Sequence, residues 1–168
     1  MMQYLLEPEM IVLKKIISGA QSGADLAALE VAKKFGYETG GVMPFGYKTL
    51  EGFKPQYKEM YGLTAHSSSS YTPRTRQNVK DSDGTIRFAY NFESRGEICT
   101  LKAIEYYKKP HLNVDLNDVL PIFTVTDWIL CHRIEVLNIA GNSEQTSPGT
   151  HEATTCYLES LFQALKDN

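Results

Sequence analysis

The sequence predicts an α/β protein. One domain is expected, built on a mainly parallel sheet of about five strands with helices on both faces. Three observations carry this. Short apolar runs alternate with helix-spaced segments in the order βαβ, a long loop, then αβαβαβα, and such alternation gives a parallel sheet whose crossovers cover both faces. The first run ends at Ile16-Ile17 in a small-residue turn, Ser18-Gly19-Ala20-Gln21-Ser22-Gly23, which opens directly into a helix. The length, 168 residues, suits one hydrophobic core that needs no disulfide staples.

The elements follow in order. Leu13 to Ser18 reads as the first strand, preceded by a loose arm over residues 1–11. Ala24, Ala27, Ala28, Val31, Ala32 and Phe35 fall at helical spacing, and Gly36 ends that helix. Tyr37 to Met43 reads as the second strand. Its Gly40-Gly41 pair weakens it unless another group approaches the backbone closely. Pro44 to Tyr61 is aromatic, Gly-punctuated and long for a connection, with one helical turn at Pro55 to Met60. His66-Ser67-Ser68-Ser69-Ser70 reads as a mobile low-complexity stretch. Thr72-Pro73 reads as N-cap and first residue of a helix that ends near Asp81 to Gly84.

Thr85 to Tyr90 alternates as a strand, and Asn91 to Gly96 is a loop. A helix from about Glu97 to Lys108 is stopped by Pro110. His111 to Leu116 is the fourth strand, Leu120 to His132 a helix and Ile134 to Ala140 the fifth strand. After the Gly141 to Gly149 loop, Pro148 starts a last helix that buries Tyr157, Leu158, Leu161, Phe162 and Leu165.

Composition narrows the function. A net charge of -3 argues against nucleic-acid binding through bulk positive charge. Cys99, Cys131 and Cys156 are odd in number and form no Cys-x-x-Cys, so reduced thiols and a cytoplasmic location are expected, not a disulfide framework or zinc site. The four histidines form no His-x-x-x-His pair. Met1 to Met10 carries two glutamates and no basic segment, so no signal peptide is expected. No apolar run approaches the ~20 residues of a membrane span.

In a parallel sheet the loops at the carboxyl ends of the strands hold the ligand. Four loops rich in small and polar residues converge there. The first offers Ser18, Gly19, Ala20, Gln21, Ser22, Gly23 and, inside the helix, Asp25. Its glycines allow close backbone approach, and the unpaired amides at the helix start suit an anion. The spacing Gly-x-x-x-Gly matches neither the dinucleotide fingerprint nor a P-loop. The second loop offers Gly46 and Lys48, the third Arg95, Gly96 and Thr100, the last Gly141 and Asn142. Glu97 suits the helix dipole but repels a phosphate held there. Arg76 and Lys80 share a helix face, which reads either as phosphate recognition or as a solvated charged face. Arg76 lies nearer the ligand edge and is the expected phosphate contact. Asp81 and Asp83 read as a cation site or as turn caps.

These pieces together resemble the molybdenum (molybdenum-cofactor) carrier proteins. Ser18-Gly19-Ala20-Gln21-Ser22-Gly23-Ala24-Asp25 resembles the opening motif of that family. Gly40-Gly41-x-x-Pro44-x-Gly46 with Glu51-Gly52 resembles its second loop. Arg76-x-Asn78-Val79-x-Asp81-Ser82-Asp83-Gly84-Thr85 resembles its Arg-x-x-Asn-Val-x-Asp-Ser-Asp-x-Thr stretch. Gly96 to Thr100 with Lys109-Pro110, and Leu137 to Asn142 with Ser147-Pro148-Gly149, resemble later segments. The chain departs from the family pattern where Phe45 and Tyr47 replace Lys and Arg, Glu97 replaces a small residue, and Asn142-Ser143 replaces Pro-Arg.

The resemblance implies a Rossmann-like fold related to the lysine-decarboxylase-like phosphoribohydrolases. It implies binding of molybdenum cofactor (molybdopterin), a small phosphorylated ligand, and a homo-oligomer, dimer or tetramer. Arg76 and Asp83 join the candidate ligand set through it. The leading reading is a non-catalytic binder of a phosphorylated pterin or nucleotide, with no nucleic-acid or membrane partner and no metal held by the chain itself. The alternative is a nucleotide phosphoribohydrolase-like enzyme. Against it, the position three after Thr100 is Ala103, not the motif's glutamate, and Glu105 falls on another face. A dinucleotide-dependent oxidoreductase fits least, for want of Gly-x-Gly-x-x-Gly.

Overall fold

Short β-branched runs become strands, and the segments between them wind into amphipathic helices. The computed structural model describes residues 13–168; the expected arm over residues 1–11 lies outside them. β1 (Lys15–Ile17) leads to α1 (Ala24–Lys34) and β2 (Glu38–Met43). A 3-10 turn, Phe45–Tyr47, precedes the hairpin β3 (Lys48–Thr49) and β4 (Gly52–Phe53). Then come α2 (Tyr57–Tyr61), β5 (Leu63–Ala65), α3 (Tyr71–Asp81), β6 (Gly84–Ala89) and α4 (Arg95–Tyr107). β7 (His111–Asp115), α5 (Ile122–Cys131), β8 (Val136–Gly141) and α6 (Thr150–Lys166) complete the chain.

Among the described residues the central sheet has six strands, in the order β5-β2-β1-β8-β6-β7. All its pairings are parallel. The register sets Ile16 beside Leu137, and Ile86 beside Ile139. These side chains, with Phe88 and Val114, form one core with α1, α5 and α6. Strand side chains alternate between faces, so the opposite face presents Thr85, Arg87 and Asn138, all buried. There Asn138 Nδ2 donates to Thr85 Oγ1 at 3.2 Å. α3 and α4 cover this face and pack on each other through Val79, Ala103 and Ile104.

The sheet has one strand more than the expected five. The addition is β5, an edge strand paired with β2. Of its three residues Leu63 alone is buried, so no alternation was there to read. The long connection likewise holds the β3–β4 hairpin beside its helical turn. The His66 to Ser70 stretch, expected to be mobile, is anchored: Ser68 N–H donates to His66 Nδ1, and Ser68 O accepts Phe45 N–H.

Three helix starts also move. α3 begins at Tyr71 behind Ser70, which places Thr72 and Pro73 inside its first turn, where the missing proline N–H costs no hydrogen bond. α4 begins at Arg95, capped by Ser94 Oγ on Glu97 N–H. α6 begins at Thr150, two residues after Pro148. The Gly40-Gly41 pair meets its condition, because a Cβ on Gly41 would lie 2.0 Å from Ser18 O in β1's exit.

Candidate functional site

β1, β6 and β8 each feed a helix, so the starts of α1, α4 and α6 meet at one edge of the sheet. Between them, and roofed by the first half of α3, lies a cleft of about 440 Å³. That size suits a small-molecule ligand. The two flanking helix starts are partly satisfied. At α6 the Glu144 carboxylate accepts the N–H groups of Gly149 and His151. At α1 the Ala24 N–H goes to Asn142 O, and Asp25 Oδ2 accepts the Gln21 N–H. At α4 the N–H groups of Arg95 and Gly96 have no acceptor among the described residues. The space over Gly96 is open: a Cβ there would meet nothing within 4 Å.

The loop between β1 and α1 is held rigidly. Ser18 Oγ donates to Asp25 O and accepts Ala20 N–H. Gln21 Nε2 donates to Gly19 O and to Lys48 O, which ties the hairpin to this loop. Ser22 Oγ donates to Gln145 Oε1 and accepts Glu144 N–H, which closes the loop after β8 onto it. Asn142 is the main staple. Its Oδ1 accepts Tyr90 and Asn91 N–H, and its Nδ2 donates to Asn91 O.

Two carboxylate–arginine pairs face the cleft. Arg74 Nη1 lies 3.6 Å from Asp25 Oδ2, with the guanidinium beside the Tyr71 ring. Gly19 makes this possible, since a Cβ there would lie 1.6 Å from Arg74 Nη1. Burial pushes Asp25 up to about 6, and the nearby Arg74 charge holds it from rising further. In the second pair Arg87 Nη1 donates to Glu97 O and Oε2, at 3.2 and 3.3 Å. Arg87 Nε donates to Asn113 Oδ1, and Phe92 flanks the guanidinium. Burial pushes Glu97 up to about 7, against the pull of Arg87 and with the added repulsion of Asp25. Burial lowers both arginines, which remain cations.

The structure brings nine of the expected residues to the cleft wall. Gly19, Gln21, Ser22 and Asp25 come from the first loop, Arg95, Gly96 and Thr100 from α4, and Gly141 and Asn142 from the end of β8. Ser18 and Ala20 are buried beneath the wall. Gly23 packs against the loop after β8: at φ 82°, its Cβ would lie 2.2 Å from Asn142 O. Gly46 lies against the Phe53 ring, outside the cleft. Lys48 reaches the Tyr71 ring instead.

Arg76 and Asp83 are placed elsewhere. Arg76 lies over the Tyr106 ring of α4, away from the cleft. Asp83 Oδ2 accepts the N–H groups of Glu135 and Val136 at the amino ends of the strands, which makes it a turn cap. The α3 arginine in the cleft is Arg74. Its signal was helical phase: Val79 and Asn78 are α3's buried positions, and Arg74 lies one turn before Asn78. Asn78 exchanges two hydrogen bonds with the Val42 backbone and so fixes that face inward. Ala103 is buried in the α3–α4 interface and Glu105 is exposed, so neither brings a carboxylate to the cleft. Cys99 lines the cleft, with Sγ 3.7 Å from Thr72 Oγ1. Among the described residues, no three His, Cys, Asp or Glu side chains group as a metal site, and no helix is long and apolar enough to cross a membrane.

The sequence model of the circularly permutated YpsA SLOG family matches residues 16–162. Among solved structures, the chain is similar to a "putative molybdenum carrier protein" from Syntrophus aciditrophicus SB, known from a crystal structure at 1.45 Å resolution. The two share 38% sequence identity with a TM-score of 0.83, over 91% of this chain and 97% of the other. No curated protein matches.

Proposed function

The chain belongs to the circularly permutated YpsA SLOG family, and from that premise we propose that it carries a phosphorylated pterin of the molybdenum-cofactor kind, or a nucleotide of similar shape, in the cleft. The observation that carries this reading is the start of α4. Two backbone amides without acceptors among the described residues, an open space over Gly96 and the Arg95 side chain meet there. A helix start of this kind attracts a phosphate. Arg74 adds a second cation in the same cleft. Its Nε and the Tyr71 hydroxyl are buried without hydrogen-bond partners among the described residues, which suits a polar ligand.

The neighbour named a putative molybdenum carrier protein supports a molybdenum-related cargo, and the family resemblance of the sequence motifs makes that cargo a pterin. On this reading the metal travels as part of the cargo, held by the ligand's own atoms, and the chain contributes binding and shielding. The position of Ala103 supports binding without glycosidic hydrolysis.

The test is native mass spectrometry with metal analysis on protein purified from its own organism. A retained phosphorylated pterin with molybdenum is the expected result. Protein that retains no phosphorylated heterocycle, and takes up none on titration, overturns the reading. Nucleoside monophosphates should release no free base on prolonged incubation. Release that stops in Asp25→Asn or Glu97→Gln would replace the carrier reading with a hydrolytic one.

A further inference from the structure

Two carboxylates face a cleft that is read as an anion site, and an anionic phosphate cannot be what they hold. Glu97 is the better defined. It stands in the first turn of α4, almost fully buried, and Arg87 grips it from behind through Oε2. Arg87 is itself fixed by Asn113 and Phe92. Oε1 accepts no hydrogen bond among the described residues, and Glu97 lines the cleft. Such a carboxylate is a rigid acceptor in need of N–H donors.

We propose that Glu97 reads the ligand's ring. It would accept the ring N–H and exocyclic amino group of a 2-amino-4-oxopyrimidine edge, the edge shared by pterins and guanine. The inference rests on the preceding reading of the cleft as a site for a phosphorylated heterocycle, and it narrows that class. Adenine lacks this pair of adjacent donors, and hypoxanthine keeps the ring N–H but lacks the amino group. The phosphate and the ring are then held by one helix start: phosphate at the Arg95 and Gly96 amides, ring edge at Glu97. Buried polar groups of this kind discriminate strongly, because a ring without the donors leaves the carboxylate unpaired.

The experiment is calorimetric titration of the full chain with GMP, IMP and AMP, at matched salt and pH. Wild type should bind GMP about tenfold or more tightly than AMP, with IMP between them. Glu97→Gln should bring the three within about threefold of one another, chiefly by loss of GMP affinity. Equal affinity for GMP and AMP in wild type overturns the inference while leaving the anion cleft intact, and this measurement does not depend on how any variant folds. A GMP preference that survives Glu97→Gln but disappears in Asp25→Asn overturns the assignment to Glu97. Failure of all three nucleotides and of a phosphorylated pterin to bind wild type overturns the proposed function itself.

Discussion

Arg74 and Arg76 stand two positions apart on α3 and face different surroundings. Arg74 meets Asp25 and the cleft, whereas Arg76 lies over Tyr106. Arg74→Ala should therefore weaken a phosphorylated ligand by about 1.5–3 kcal/mol, roughly ten- to a hundredfold. Arg76→Ala should change affinity less than about twofold, since an exposed cation far from the ligand contributes little. Calorimetry on both variants checks this. Gly19→Ala gives an independent route to the same loss, because the new Cβ displaces the flexible end of Arg74 and leaves the backbone undisturbed. It should melt within a few degrees of wild type yet bind as poorly as Arg74→Ala.

The two cleft carboxyls also set a pH dependence. Their folded-state values, about 6 for Asp25 and about 7 for Glu97, lie above ordinary carboxyl values. The folded chain thus holds protons that the unfolded chain has already released. Their stabilising contribution is complete below pH of about 4 and is lost as pH rises through 6 to 7. Wild-type Tm should fall across that window by a few degrees more than in an Asp25→Asn/Glu97→Gln double variant. Parallel melting curves would contradict the assignment of raised values to these groups.

At the scale of elements, the three helix starts at the sheet edge differ in what fills them. Glu144 accepts from the start of α6 and Asn142 O from that of α1, whereas α4 offers two N–H groups without an acceptor among the described residues, with open space over Gly96. Gly23 packs α1 against the loop after β8. Gly23→Asp would drive its Cβ into the Asn142 backbone at a positive φ, and should lower Tm by several degrees or prevent folding, with lost binding as a consequence. A variant that melts like wild type would show the two loops to be less tightly joined.

Helix and strand spans were largely legible from sequence because their periodicity reports a buried face. α3 was placed correctly as an element, but its rotation was not. Charge content drew attention to Arg76, while the buried pair Asn78 and Val79 fixed the phase. β5 was illegible because an edge strand of three residues with one buried side chain carries no pattern. By sequence alone Glu97 is a residue that repels phosphate. Its role depends on Arg87, ten residues earlier on β6, a pairing that only the tertiary structure creates.

Across the whole molecule, the topology explains why the site lies where it does. The chain leaves β1 toward one side of the sheet, crosses to β6 and β7 on the other, and returns to insert β8 between β1 and β6. Loops that leave these central strands diverge and open a crevice at their carboxyl ends. One sheet face is apolar against α1, α5 and α6. The other carries Thr85, Arg87 and Asn138, and of these Asn138 reaches the cleft wall, beside Ile139 and Ala140. The first and last loops were readable as walls of the cleft from their small and polar residues. The cleft's roof was not, because α3 reaches it only through a crossover.

The most direct test is a crystal structure with saturating GMP or a phosphorylated pterin. The expected result is phosphate within hydrogen-bond distance of the Arg95 and Gly96 amides, and the amino edge of the ring against Glu97. A ligand bound elsewhere on the chain, or one in the cleft with its phosphate turned away from the start of α4, would contradict it.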